Sequence, residues 1–255
     1  MNEWRSDAGL QGRVVIVTGA GGGIGTEVAR GFAEAGSLVA AVDRPGSPVA
    51  EVVRGLPGHG HQAIEDDLAD LASHDRILDR VSGMGSLTAL AHLAAVLRRR
   101  ATVNDVTEED WDIQHGVNLK ATFFLNRSVR NYLVEQGTPG AIVNFSSQGW
   151  WTGGFGGSVV YAAAKGGVVS MSRGLARSFA PDLVRVNVVS PGGVDTQMMT
   201  GGVDPAANEA FIKMIPLGRF ARPDELVGAV IFLASDASSY ITGAVINVSG
   251  GQLMY

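Results

Sequence analysis

An alternation constrains this chain's fold more than any other feature. Seven short runs rich in β-branched and small apolar residues are separated by longer stretches with helical character. The runs are Arg13 to Thr18, Leu38 to Asp43, His61 to Glu65, Leu87 to Leu93, Gly140 to Phe145, Val184 to Val189 and Ala244 to Val248. Runs this apolar suit strands buried on both faces, and parallel neighbours need long crossovers, usually helical, between them. Such crossovers are right-handed. The expected fold is therefore α/β: a doubly wound parallel sheet of about seven strands with helices on both faces. Ligands of such a sheet sit beyond the carboxyl ends of its strands. With 255 residues, the chain is expected to form a single dinucleotide-binding and catalytic domain spanning residues 1–255.

Composition narrows the chemistry. The chain has no Cys, which removes disulfides, thiol nucleophiles and cysteine metal sites. A net charge of -5 argues against a nucleic-acid partner held by phosphate contacts. The apolar runs stop well short of membrane-spanning length, and Met1 to Asp7 carries no apolar signal core. The expectation is a cytoplasmic protein with neither a membrane nor a nucleic-acid partner. His59-Gly60-His61 has no third ligand at convincing spacing, so it reads as a surface loop and no metal site is expected.

The turn Thr18-Gly19-Ala20-Gly21-Gly22-Gly23-Ile24-Gly25 follows the first strand and opens the first helix. Glycines there let the backbone approach a pyrophosphate, and the helix N-terminus offers free N–H groups. Asp43 ends the second strand 18 residues past Gly25, close to the spacing of a ribose-binding acid. Its carboxylate can accept from both ribose hydroxyls and repels a 2′-phosphate. Arg44 follows it, but no Lys or Arg lies within the glycine loop, so NAD is the expected cofactor.

Tyr161 and Lys165 stand four apart in the run Tyr161-Ala162-Ala163-Ala164-Lys165. Three alanines favour a helix, and the spacing puts both polar tips on one face. A unit charge ~4 Å from a phenol at an effective dielectric of ~20 is worth roughly 4 kcal/mol. That is enough to bring a Tyr toward neutrality, where a general acid/base works best. Taken alone, the pair also fits an ordinary amphipathic helix.

Together these motifs resemble the short-chain dehydrogenase/reductase family, with its Rossmann-type sheet, over nearly the whole chain. The resemblance rests on Thr18-Gly19-x-x-x-Gly23-x-Gly25, Asp67-Leu68, Asn118, Ser147, Tyr161-x-x-x-Lys165, Asn187, Pro191-Gly192 and Val248-Ser249-Gly250-Gly251. It implies a catalytic tetrad. Tyr161 would exchange the proton, and Lys165 would lower its pKa and bind the nicotinamide ribose. Ser147 would hold the substrate carbonyl, and Asn118 would hold a water leading to Lys165. Cofactor contacts are implied for Gly19, Gly23, Ile24, Gly25, Asp43, Asp67, Leu68, Ala94, Pro191, Gly192, Val194 and Thr196, besides Tyr161 and Lys165. A small alcohol or ketone substrate, a lid near residues 197–215 and a homotetramer are also implied.

Two departures stand out. His92-Leu93-Ala94-Ala95 replaces the family's Asn-Asn-Ala-Gly, and Ser147 to Tyr161 spans 14 residues, one more than expected. Trp150, Trp151 and Phe155 in that interval either wall the substrate or pack elsewhere. Arg98 to Arg100 either greets an anionic substrate or forms a solvated basic loop. The function expected is hydride transfer between NAD(H) and a secondary alcohol or ketone. The alternatives are a 3-oxoacyl carrier-protein reductase using NADP(H), or an inactive nucleotide-binding scaffold. All four tetrad positions are filled, which speaks against the scaffold.

Overall fold

A computed structural model of the protein describes residues 9–255. The signal-region reading of Met1 to Asp7 lies outside the described residues. In chain order the elements are β1 (Val14–Thr18), α1 (Gly23–Glu34), β2 (Leu38–Asp43), α2 (Val49–Arg54), β3 (Gln62–Glu65) and α3 (Ser73–Ser82). Next come β4 (Leu87–His92), α4 (Glu108–His115), α5 (Thr122–Gln136), β5 (Gly140–Phe145), α6 (Gly149–Thr152) and α7 (Val159–Phe179). The last are β6 (Val184–Pro191), α8 (Gln197–Thr200), α9 (Pro205–Ile212), α10 (Val227–Ala234) and β7 (Val245–Val248).

The strands form one parallel sheet in the order β3-β2-β1-β4-β5-β6-β7. Every residue of β1 and β4 is buried. That is why these strands carry no polar alternation: helices cover both faces. One face packs Val15, Val17, Ala89 and Val143 against Val28 and Phe32 of α1 and Leu233 of α10. The other packs Ile16, Leu90 and Ile142 against Leu125 and Val129 of α5 and Leu175 of α7. Each such large side chain contributes roughly 1.5–3 kcal/mol by leaving water.

The order of strands reverses between β1 and β4, so the crevice opens above their carboxyl ends. Thr18, Asp43, His92, Phe145 and Pro191 all terminate their strands on that edge. α4 begins at a Thr107 N-cap. Thr107 Oγ1 accepts from Asp110 N at 3.1 Å, and Asp110 Oδ2 accepts from Thr107 N at 3.1 Å, a reciprocal capping box. Between α4 and α5 lies a π-helical turn, Gly116 to Ala121, which carries Asn118. Such turns concentrate at functional sites because they re-aim a side chain without ending the helix. Among the described residues, no helix is long and apolar enough to cross a membrane.

Candidate active site

At the mouth of the glycine turn two clefts meet. The smaller, about 270 Å3, is lined by Gly19, Gly23, Ile24, Gly25, Ser147, Tyr161, Lys165, Pro191, Gly192, Val194 and Thr196, among others. The larger, about 1170 Å3, is lined by Gly19, Gly21, Asp43, Arg44, Ser47, Asp67, Leu68, Ala94 and Ala95, among others. Long-range folding thus brings every expected cofactor position to one crevice.

The glycine turn fits a pyrophosphate. Gly19 has φ 68°, and a Cβ there would stand 2.8 Å from Ala94 N. A Cβ at Gly25 would stand 2.0 Å from the Gly19 carbonyl oxygen. Side chains are therefore excluded where the N-terminus of α1 faces the cleft. At the far end, Asp43 Oδ2 accepts from Gly21 N at 2.8 Å and Oδ1 from Arg44 N at 2.7 Å. Beside it, Ser47 Oγ is buried and has no partner. An unpaired buried hydroxyl is costly, so this one suits a hydroxyl-bearing ligand such as a ribose. Asp67 Oδ1 accepts from Ala69 N at 2.9 Å within its loop while lining the same cleft. Thr196 caps α8, accepting from Met199 N at 3.3 Å, and also faces the smaller cleft.

α7 presents Tyr161 and Lys165 on one face, and the stripe Ala164, Lys165, Val168, Ser172, Ala176 is buried. A buried polar cluster locks this helix to β5. Asn126 and Asn144 exchange carboxamide hydrogen bonds at 3.0 and 2.8 Å, and Asn144 Nδ2 also donates to Ser172 Oγ at 3.0 Å. Because β5 leads directly into Ser147, this cluster fixes the distance between Ser147 and Tyr161. Ser147 Oγ accepts weakly from Gly149 N at 3.3 Å and keeps its proton for another acceptor.

The electrostatics differ from the sequence expectation. Lys165 Nζ donates to Phe145 O at 2.8 Å and lies 5.7 Å from the centre of the Tyr161 ring. Burial pushes the Tyr161 phenol up to about 12, and the opposing pull comes from Arg99. Burial also pulls Lys165 down to about 8. The predicted lowering of the phenol by Lys165 is therefore absent in this state. Desolvation of a phenolate outweighs an ammonium committed to a backbone carbonyl.

Asn118 is also placed differently in detail. Its carboxamide clamps Val96, accepting from Val96 N and donating to Val96 O, both at 2.8 Å. Each arm of the carboxamide spends one bond on Val96, and the main-chain carbonyl accepts from Thr122 Oγ1 at 2.8 Å. The departure at His92 proves central here. His92 is buried, lies 2.8 Å from Thr18 Oγ1 through Nδ1, and 2.9 Å from Thr122 Oγ1 through Nε2. Desolvation keeps it neutral, with its pKa pulled down to about 3.

Trp150, Trp151 and Phe155 do not line either cleft. Trp151 is 57% and Phe155 64% exposed. Trp150 donates to Ser190 Oγ at 3.1 Å, and both indoles pack on Tyr255, with ring centres 5.1 and 5.4 Å apart. The glycines at 153, 154 and 156 of this loop have left-handed φ. For Trp150 and Trp151 the contacts with Tyr255 favour the packing alternative. Sequence reasoning missed Ser47 and the Asn126–Asn144–Ser172 cluster, which follow no local pattern. His92 was visible only as a departure.

The arrangement has relatives. A sequence profile described as enoyl-(acyl carrier protein) reductase matches residues 19–252. The D-threitol dehydrogenase of Mycolicibacterium smegmatis is 38% identical over 248 residues, 96% of this chain and 94% of that protein. The 3-oxoacyl-(acyl-carrier-protein) reductase of Thermotoga maritima is 37% identical over 254 residues, 96% of this chain and 99% of that protein. An Agrobacterium tumefaciens protein proposed as a 2-deoxy-D-gluconate 3-dehydrogenase, solved with bound NADP, superposes with a TM-score of 0.87 at 33% identity. That match covers 97% of this chain and 99% of the other.

Proposed function

This chain belongs to the short-chain dehydrogenase/reductase family of oxidoreductases, and from that premise we propose that it transfers a hydride between NAD(H) and a secondary alcohol or ketone. The observation that carries the reading is that Ser147, Tyr161 and Lys165 share one cavity with the glycine turn. A nicotinamide dinucleotide, when bound, supplies or takes up the hydride. The rest is the work of the chain's own residues. Tyr161 Oη exchanges a proton with the substrate oxygen, and Ser147 Oγ donates to that oxygen as charge builds on it. Lys165, pulled down to about 8 by burial, can pass a proton onward. Asn118 holds the loop at Val96 and offers its main-chain carbonyl to the proton path.

Asp43 supports NAD over NADP. Its carboxylate is anchored on two backbone N–H groups at the ribose end of the cleft, where a 2′-phosphate would meet like charge. The Agrobacterium relative holds NADP, the opposite preference to the one proposed here. The second reading, a 3-oxoacyl carrier-protein reductase, draws on the Thermotoga relative. The lid of our reading is α8 and α9, and the assembly a homotetramer. Trp111 stacks on His115 beside an apolar groove lined by Leu119, Phe123 and Phe124, a surface that a second copy would cover.

The test is turnover of a panel of secondary alcohols and diols with NAD and NADP, and of ketones and acyl thioesters with NADH and NADPH. Tyr161→Phe is expected to lose roughly 10^2- to 10^4-fold in rate. An unchanged rate in that variant would overturn the assignment. Acyl thioester reduction with NADPH in preference to free ketones with NADH would favour the second reading.

A further inference from the structure

The three arginines after β4 have three different fates. Arg100 forms a bidentate pair with Asp110 at 2.7 and 2.9 Å. Arg98 uses its backbone, donating from N to Gln114 Oε1 at 3.1 Å, and borders only the larger cleft. Arg99 alone borders the smaller cavity beside Ser147 and Tyr161. Its side chain makes one hydrogen bond, Nη2 to Met199 O at 3.1 Å, and no ion pair among the described residues. That bond spans 100 residues and ties the guanidinium to α8, the first helix of the lid.

Charge is divided unevenly along the crevice. The larger cleft is mixed, with Asp43, Asp66, Asp67 and Asp112 beside Arg44, Arg98 and Arg99. The smaller cavity has no carboxylate in its lining and two cations, Arg99 and Lys165. Lys165 is committed to Phe145 O, so Arg99 is the cation free to meet a ligand. A guanidinium offers five N–H donors in a planar fork, and one is in use. The remainder match a carboxylate or phosphate in bidentate geometry. A concave site of one sign also concentrates ligands of the other.

We propose that Arg99 is a specificity-determining residue, and that the substrate oxidised or reduced at Tyr161 carries an anionic group, a carboxylate or a phosphate, that pairs with it. This rests on the hydride-transfer reading above and adds the substrate's charge to it. The pyrophosphate seat is the N-terminus of α1; Arg99 borders both clefts, and in the smaller one it shares the lining with Ser147 and Tyr161. The bond to Met199 couples the pairing to the lid: an anion that draws the guanidinium inward also sets the position of α8.

The experiment compares matched pairs: gluconate with glucitol, erythritol 4-phosphate with erythritol, and 3-hydroxybutyrate with its methyl ester. Binding of each to the NADH-loaded protein is measured by calorimetry, and turnover is measured separately. Tighter binding of at least one anionic member is expected. Its advantage over the neutral partner should fall roughly 10- to 100-fold in Arg99→Gln and recover in part in Arg99→Lys. The carboxylate and phosphate pairs distinguish the two sources of the anion. Neutral members binding as tightly as anionic ones would overturn the proposal, as would an Arg99→Gln variant that keeps the wild-type preference. So would a parallel loss of NADH affinity in that variant, because Arg99 would then serve the cofactor. Turnover of neutral alcohols alone would sink this inference and leave the hydride reading standing. Arg99-dependent binding of the anions without turnover of any alcohol or ketone would overturn the hydride reading and this inference with it, leaving only an anion site at Arg99.

Discussion

His92 and Thr18 join the ends of β4 and β1 through a 2.8 Å contact between Nδ1 and Oγ1, and its direction follows from the neighbouring bonds. Thr122 spends its proton on Asn118 O, so at its oxygen it must accept from His92 Nε2. His92 is then the Nε2–H tautomer, and its Nδ1 accepts from Thr18, whose oxygen in turn accepts from Ala94 N at 3.2 Å. One polarised chain links the glycine turn to the π-helical turn that carries Asn118.

His92→Ala should destabilise the protein by roughly 2–4 kcal/mol, because it removes a buried ring and leaves the Thr18 proton without its acceptor and Thr122 Oγ1 without its donor. The pH dependence carries the signature. The folded-state pKa is pulled down to about 3 from 6.5, so the unfolded chain binds more protons between those values. Stability from this group is complete above pH 6.5 and is lost as pH falls toward 3. His92→Asn should flatten that fall relative to wild type in urea titrations across the window. Parallel pH curves for the two proteins would refute the neutral buried imidazole.

Alcohol oxidation should rise with pH on the alkaline side. The phenol is pushed up to about 12 in the free protein and must be deprotonated to accept the substrate's proton. Carbonyl reduction needs the protonated phenol and should hold its rate toward neutral pH. The profiles of kcat/KM in the two directions check this, and identical profiles would exclude Tyr161 as the proton carrier.

Asp43→Ser should move cofactor preference toward NADP by about 10- to 100-fold in the ratio of kcat/KM values. It removes a charge that opposes the 2′-phosphate. If the ratio stays within about twofold, Asp43 does not face the ribose.

Gly25→Ala should abolish dinucleotide binding or folding, since its Cβ would stand 2.0 Å from a backbone carbonyl oxygen that cannot retreat. Gly22→Ala meets that same oxygen at 3.3 Å and should be far milder. Thermal melts and NADH fluorescence titration of both variants give the comparison. Equal behaviour would show that the turn is not packed as described.

Trp151→Ala should leave discrimination between bulky and small ketones unchanged, because the ring packs on Tyr255 outside both clefts. Its cost should be a modest loss of stability, about 0.5–1.5 kcal/mol. A shift in specificity would mean that the loop turns inward during catalysis.

The sequence by itself determined the strands, their parallel arrangement, the glycine turn with Asp43, and the Tyr161–Lys165 spacing. These are local patterns: apolar runs buried on both faces, glycines where a Cβ has no room, and a four-residue helical repeat. The tertiary structure alone decided how polar groups are partnered. Only packing sends Lys165 to Phe145 O, spends the Asn118 carboxamide on Val96, and turns Trp150 and Trp151 away from the cleft. It also separates Arg99 from Arg100, which look equivalent in sequence, by placing Asp110 beside one and the cavity beside the other. Partnership and desolvation depend on residues far apart in the chain, and they set the charge at the reacting end. Spacing can suggest the chemistry of such a site, but burial decides its pKa values and the charge of the ligand it can hold.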